Sequence, residues 1–355
     1  MIQYGAGPGA DEAEVVVFGP GYGESVAVHL GAQRWMIVDS CIDPFAKRPA
    51  ALAYLTAIGV DPSCVVAVVA SHWHDDHVRG IAEVAKTCAT APCILSTAFN
   101  SNEAMAFLAA YSGEANGNLS RGTRELVAVI ESRESVQFSH QQCIVLEDHF
   151  GGRRIRVTAF SPVHAAIGVM VAAFGAKAAA LEGTGIDNAV STSANEESVA
   201  LHIDFGDDAV LLGSDLENHP TLGWAAVVSD KWCLSQRRGS LYKVAHHGSK
   251  SGHEQGVWQS LLAPKSDAVL TPFTLGRHKI PDAQEIATVK GNAGRAFISS
   301  SAASKPRMET SQVKRLGDIV SGLKPVNNGF GAIRSRKAFG ATAWTIECFG
   351  DARAL

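Results

Sequence analysis

The chain has 355 residues, of which 46% are hydrophobic and 19% charged, a balance that excludes a mainly disordered protein and suffices for a sizeable core. The net charge of −4 is unevenly spread: residues 231–355 carry 19 Lys and Arg against 8 Asp and Glu, a balance of +11, and residues 1–230 carry −15. A basic third of this kind either attracts a polyanion or neutralises the acidic part across an internal contact. No run of about 20 apolar residues lacks a charge or turn signal, which argues against a membrane span. Residues 1–13 have neither the basic nor the apolar region of a secretory leader. The seven cysteines form no C-x-x-C pair and are odd in number, which fits buried thiols in a reducing cytoplasm.

Along the chain, residues 14–18, 25–30 and 34–38 read as strands, with Asp39 at the end of the third. The glycines of 19–23 lack the G-x-G-x-x-G spacing and a following helix, so they read as a hairpin connection rather than a nucleotide loop. Residues 49–58 have helical composition. The run 64–70 is β-branched and without a polar residue, the pattern of a central strand buried on both faces. Helix is expected at 81–86, 102–111 and 121–133, and strand at 93–96 and 154–160. Residues 165–195, small and rich in Gly and Ala, read as a mobile insertion or loop. A hairpin is expected over 198–212, strands at 240–245 and 268–271, helix at 285–290, and a closing hairpin over 329–349. No internal repeat or low-complexity segment is visible.

The informative segment is Ser71-His72-Trp73-His74-Asp75-Asp76-His77, directly after the buried strand. The loop at the C-terminal end of a central strand is where α/β folds place their chemistry. Imidazole and carboxylate are the ligands of borderline divalent cations such as Zn²⁺. His72 and His74 can point at one cation, and Asp76 and His77 at a second. Three His and one Asp at these fixed places are expected by chance roughly 0.001 times per chain of this composition.

On these residues the sequence resembles the metallo-β-lactamase superfamily, whose H-x-H-x-D-H signature stands here as His72, His74, Asp76 and His77. The resemblance implies an α/β fold, a four-layer αββα sandwich of two mixed sheets with helices outside, as one domain over 1–355. Residues 100–150 and 165–195 would be helical or loop insertions. It implies that Asp39 supports the metal loop. Ser161-Pro-Val-His164 resembles the T-P-G-H motif, whose His completes the first metal site. Gly213-Ser-Asp215 resembles the motif whose Asp bridges two metals. Val244-Ala-His-His-Gly248 resembles the last motif, with His246, the first of the pair, as ligand to the second metal. His247, Ser249 and Lys250 would then support the site or face substrate.

A narrower resemblance is to the soluble hydrolase domain of ComEC-type competence proteins. It rests on residues 21–25, on Asn195-Glu-Glu-Ser-Val-Ala-Leu201, on 211–217 and above all on Lys243-Val-Ala-His-His-Gly-Ser249. That subgroup implies phosphodiester hydrolysis. Two departures stand out: the subgroup carries Asp where this chain has His74, and it lacks the histidine matched by His164. The channel segments are also absent, so DNA uptake is not implied.

The expected activity is that of a phosphodiesterase or nuclease using two divalent metal ions, Zn²⁺ by ligand type with Mn²⁺ as the alternative. A metal-bridged hydroxide would be the nucleophile and Asp76 would orient it. Single-stranded DNA or another nucleic acid or nucleotide is the expected substrate, in the cytoplasm and away from membranes. The sequence identifies no protein partner. Two other readings remain: a carboxyl-ester, thioester or lactone hydrolase with an apolar pocket from 165–181, and a non-catalytic binding module.

Overall fold

A computed structural model describes residues 2–19, 23–112, 121–132, 136–150, 152–183, 194–275, 278–300 and 329–355. β1 (Glu12–Gly19), β2 (Ser25–His29) and β3 (Trp35–Val38) make an antiparallel meander. A small hairpin of β4 (Ile42–Asp43) and β5 (Arg48–Pro49) leads into α1 (Ala50–Ala57). β6 (Val65–Val69) returns parallel to β3, and α2 (Asp75–Val78) and α3 (Ile81–Thr87) lead to β7 (Cys93–Ser96). After α4 (Asn102–Ser112) and α5 (Arg121–Glu131), β8 (Val136–Ser139) adds to the parallel edge.

The chain then builds a second sheet. β9 (Ile144–Phe150) and β10 (Arg153–Ala159) are followed by α6 (His164–Gly183), then by the hairpin of β11 (Leu201–Asp204) and β12 (Ala209–Leu212). α7 (Trp224–Ser229) and α8 (Lys231–Ser235) precede β13 (Gly239–Lys243), and β14 (Leu262–Leu270) lies parallel beside it. A second small hairpin, β15 (Phe273–Leu275) and β16 (His278–Ile280), and α9 (Ala283–Asn292) lead to β17 (Arg295–Ile298). The chain finally serves both sheets. β18 (Gly331–Ala338) and β19 (Thr345–Gly350) extend the first, and β20 (Arg353–Ala354) pairs with β17 in the second. The strand orders are β19-β18-β1-β2-β3-β6-β7-β8 and β20-β17-β14-β13-β12-β11-β10-β9. Both sheets are mixed, as expected.

Period-2 alternation explains the layering. Val15, Val17, Val26, Val28, Met36 and Val38 of the first sheet face Val157, Leu201, Ile203, Val210, Leu212 and Leu241 of the second in one inner core. The opposite parity, Val16, Phe18, Ile37 and Val68, packs under α1, α3, α4 and α5. On the far side Leu211, Tyr242 and Leu270 pack under Trp224, Val227 and Val289. The result is the expected four-layer αββα sandwich. It is consistent with the metallo-β-lactamase fold.

Two expectations are corrected. Residues 165–183, read along the chain as a mobile insertion or loop and by resemblance as a helical or loop insertion, belong to the 20-residue helix α6. Alanine is the best helix former, and Met170 and Phe174, one turn apart, are buried against α4, whereas Ala166 is buried in the core of the second sheet. Phe174 stacks on Phe107 with ring centroids 5.0 Å apart. Residues 184–193 of that expected loop lie outside the described residues. The span 100–150 holds α4 and α5, but also β8 and β9, edge strands of the two sheets. β8 is only four residues long, and β9 carries its apolar run Ile144-Val-Leu146 at one end before three polar residues, so the sequence announced neither.

Part of the charge asymmetry is neutralised internally among the described residues. Arg336 pairs with Glu14, Lys337 with Asp208, Arg237 with Asp204 and Lys243 with Glu24. Part of the basic third, 276–277 and 301–328, lies outside the described residues. No helix among the described residues is long and apolar enough to cross a membrane.

Candidate metal centre

The site forms where the parallel strands of both sheets end. Asp39 follows β3, residues 71–77 follow β6, Asp215 follows β12, His246 and His247 follow β13, and Thr271 follows β14. Asp39 pins the first loop from below. Its Oδ1 accepts the backbone N–H of Ser71 at 2.7 Å, and its Oδ2 accepts the Ser71 hydroxyl at 2.7 Å and His77 Nδ1–H at 2.8 Å. Burial pushes the Asp39 carboxyl above its ordinary value, against these three donors, which favour the ionised form.

The hydrogen bonds also decide which ring nitrogens are free. Ser71 Oγ spends its proton on Asp39, so it accepts from His72 Nδ1, 3.1 Å away, and from the Ser214 hydroxyl at 2.7 Å. His72 Nε2 is thereby left as a lone pair, 3.2 Å from His74 Nδ1. Burial holds His72 well below, and His74 below, the ordinary imidazole range, which favours the neutral rings. His77 Nδ1–H is committed to Asp39, which leaves Nε2 facing Asp215 Oδ1 at 3.2 Å.

The second sheet supplies the facing wall. Gly213 lets two loops close, because a Cβ there would sit 2.9 Å from the backbone of Ala245. Beyond it, His246, His247 and Gly248 adopt φ of 46°, 54° and 80° in succession. Left-handed backbone at two successive non-glycine residues is costly, and it turns both imidazoles toward one carboxylate. His247 Nε2 lies 3.5 Å and His246 Nε2 4.0 Å from Asp215 Oδ2. His247 Nε2 is also 3.3 Å from Asp76 Oδ2. His246 Nδ1 is held by Ser251 Oγ at 2.9 Å, Ser249 Oγ at 3.0 Å and Glu217 at 3.3 Å.

The expectation for the last two histidines therefore changes. His247, expected behind the ligands, stands among them, and His246 flanks them on the side of His74. Taking only the first residue after the strand as a ligand does not separate the two, because the chain leaves β13 in a left-handed turn that brings both rings to Asp215. His164 is not brought to this cluster. It begins α6, exposed, with its ring 4.8 Å from that of His140. The chain turns into the helix at once, so the resemblance of residues 161–164 to a ligand motif does not place this ring. Ser249 caps the turn that follows, accepting the N–H of Gly252. Lys250 is exposed, and its backbone N–H is held by Glu285. Asp75 accepts the Gly122 N–H at 2.5 Å and so faces α5.

Glu24 and Asn195, which stood in segments of the narrower resemblance without an assigned role, join the site. Glu24, His77, Asp215 and His247 offer ligand atoms within 4.8 Å of one another, all buried. Glu24, however, faces the Nδ1 edges of His77, at 3.8 Å, and of His247, at 3.5 Å. Asp76 and Asp215 face the Nε2 edges. One cation cannot bind both edges of the same ring, so Glu24 stands behind the ligands. Asn195 donates to Glu217 at 2.8 Å and leaves its buried Oδ1 without a partner.

The donor set suits divalent cations. His77 Nε2 and Asp215 Oδ1 are buried with no hydrogen-bond partner, which is costly unless something else satisfies both. Burial would lower the His77 and His247 values. The carboxylates led by Asp215 outweigh it, holding His77 well above its ordinary range and raising His247 to about 9. Burial would likewise raise Asp76 and Asp215, yet the facing histidines, His77 first, pull both below the usual carboxylate range. A centre with this excess of acid attracts positive charge, and neutral His72 and His74 extend it as ligands.

The sequence profile of the Metallo-beta-lactamase superfamily matches residues 18–99. That span holds Glu24, Asp39 and residues 71–77. No curated protein sequence matches the chain. Among solved structures, the metallo-β-lactamase fold protein YhfI from Bacillus subtilis is similar at 13% identity and a TM-score of 0.40, over 81% of this chain and 96% of that one. A Cronobacter sakazakii metallo-β-lactamase with the HARLDQ motif is similar at 16% identity and a TM-score of 0.37, over 64% and 72%.

Proposed function

We propose that the protein is a metal-dependent hydrolase that cleaves phosphodiesters in the cytoplasm, with single-stranded DNA or a related nucleic acid as substrate. The observation that carries the hydrolase reading is the buried pair of His77 Nε2 and Asp215 Oδ1, 3.2 Å apart and neither in a hydrogen bond, inside a ring of acids and imidazoles. Asp76, His77 and His247 would hold one divalent cation. His72, His74 and His246 would hold another, with Asp215 between them through its two oxygens. Zn²⁺ suits this ligand set, and Mn²⁺ is the alternative. Bound there, the cations would supply Lewis acidity and hydroxide near neutral pH.

The rest of the chemistry belongs to the chain. Asp39 and Ser71 fix the tautomers of His77 and His72, so that lone pairs face inward. Asp76 is the carboxylate nearest His247 and would orient the attacking group. A cavity of about 240 Å³ opens against Asp76 and is lined by Lys47 and Arg79. Two cations beside the acids favour an anionic substrate such as a phosphodiester over a neutral ester. The apolar pocket that an ester or lactone reading needs from 165–181 has less support, because Met170 and Phe174 are buried in the core. The Lys-x-x-His-His-Gly-Ser string and its ComEC-type resemblance support the phosphodiester reading, and the seven free thiols fit a reducing compartment.

The test is cleavage of end-labelled single-stranded DNA and of bis(p-nitrophenyl) phosphate by Zn²⁺- or Mn²⁺-loaded protein. Turnover that falls by about 10³-fold in Asp76→Ala is the expected result. Turnover of esters or lactones in its place would overturn the phosphodiester assignment. Two bound metals with no turnover on either class would leave a binding module.

A further inference from the structure

We infer that Lys243, Glu24 and Thr271 form a buried relay that fixes the tautomer and aim of His247, a role for the lysine of Lys-x-x-His-His-Gly-Ser that reaches the metal centre through three side chains. The inference rests on the metal-centre reading above.

Lys243 ends β13 and is buried, with its ammonium in an ion pair with Glu24. It also donates to the Ser214 carbonyl at 3.2 Å, next to Asp215. Glu24 is equally buried and lies just before β2, in the other sheet. Thr271 has no exposed surface and follows β14. Its hydroxyl lies 2.7 Å from Glu24 Oε2 and 2.9 Å from His247 Nδ1.

The direction of each bond is forced. A carboxylate paired with an ammonium offers only acceptors, so the single Thr271 proton goes to Glu24. The Thr271 oxygen then accepts, and His247 Nδ1 must carry the hydrogen. Nε2 is thereby the nitrogen aimed at Asp76 and Asp215, and the one available to a cation. Phe273, stacked on the ring at 5.3 Å, holds its plane. Asp39 does the same for His77 in one step. For His247 the carboxylate acts through a hydroxyl, and Lys243 balances its charge away from water. Partners of this kind raise ligand basicity and are worth 10–100-fold in metal affinity. Lys243, Glu24 and Thr271 are thus positioning residues rather than ligands.

The experiment is Zn²⁺ binding to the full chain, by competition with a chromophoric chelator, for wild type, Thr271→Val and Thr271→Ser. The ring-nitrogen NMR signals of His247 are followed in parallel in the Zn²⁺-loaded protein, where one ring nitrogen binds the cation and the other carries the hydrogen. Wild type is expected to take two equivalents. Thr271→Val should weaken one of them by about 10–100-fold and mix the His247 tautomers, and Thr271→Ser should restore both readouts. Unchanged binding in Thr271→Val, or no rescue by Ser, overturns the relay. If Thr271→Val does not fold, the double variant Glu24→Gln/Lys243→Met decides, because it removes the ion pair at similar volume. Loss of affinity at one equivalent supports the relay, and wild-type affinity at both overturns it. Wild type that takes no metal would overturn the metal centre itself, which separates that failure from failure of the relay.

Discussion

Asp39 and His77 meet at 2.8 Å across 38 positions of sequence, and the same carboxylate holds Ser71 twice. Asparagine in place of Asp39 keeps the shape but offers one acceptor and one donor to three donors. Asp39→Asn should therefore lower affinity for the cation at His77 by about 10–100-fold and reduce thermal stability. Calorimetric titration with Zn²⁺ and a melting curve measure the two effects. Unchanged affinity would mean that His77 does not need its Nδ1 partner.

The three histidines of the second half separate cleanly by alanine substitution. His247→Ala and His246→Ala should each cost one equivalent of bound metal, by elemental analysis after gel filtration. His164→Ala should retain both equivalents, because its exposed ring sits beside His140. A metal lost from His164→Ala would show that α6 rearranges to deliver it.

His29 predicts a pH effect far from the centre. Its Nδ1–H donates to the Glu12 carbonyl at 2.8 Å, and its Nε2 accepts the Gln33 N–H at 3.1 Å, so the bonded ring is neutral. Burial lowers it to about 4, from an ordinary value of about 6.5. The unfolded chain then binds the extra proton in that window. Stability from this group is complete above about pH 6.5 and falls by up to about 3 kcal/mol as pH drops to about 4. Urea midpoints at several pH values should show the fall in wild type. It should be smaller in His29→Gln, which keeps a donor and an acceptor but does not titrate.

Gly213 makes a steric prediction. Gly213→Ala places a methyl 2.9 Å from Ala245, between the loops that carry Asp215 and His246. About 1–3 kcal/mol of stability should be lost, with metal affinity falling alongside. Denaturation with and without Zn²⁺ measures both. A chain as stable as wild type would show that the loops part without cost.

Much of this was legible in the sequence because the first loop is compact. Six residues after one apolar strand carry four ligand candidates, and strands such as Cys93–Ser96 announce themselves by β-branched and apolar runs. Asp215 was legible from its place after a strand. Glu24 and Asn195 stood only as unassigned members of the segments that carry the narrower resemblance, and Thr271 in no motif, because they join the site only when two sheets meet, and no spacing records that. His246 and His247 were half legible: both belong to the centre, but their order depended on a left-handed turn that residue type alone does not announce. α6 was read as a loop because its buried anchors Met170 and Phe174 stand among Gly and Ala, with apolar residues such as Val169 and Val171 on other faces, so no amphipathic stripe is visible.

The pairing of β1 with β18 has a consequence for synthesis. Glu14 lies on β1, yet its guanidinium partner Arg336 is synthesised 322 residues later. Until then Tyr54 supplies its only other side-chain hydrogen bond, at 2.6 Å. A nascent chain that has completed β2 and β3 still exposes β1 as a raw edge, and with it a charge meant for the interior. Translation through residue 338 closes that edge, so chains stalled before it should be the ones that chaperones hold.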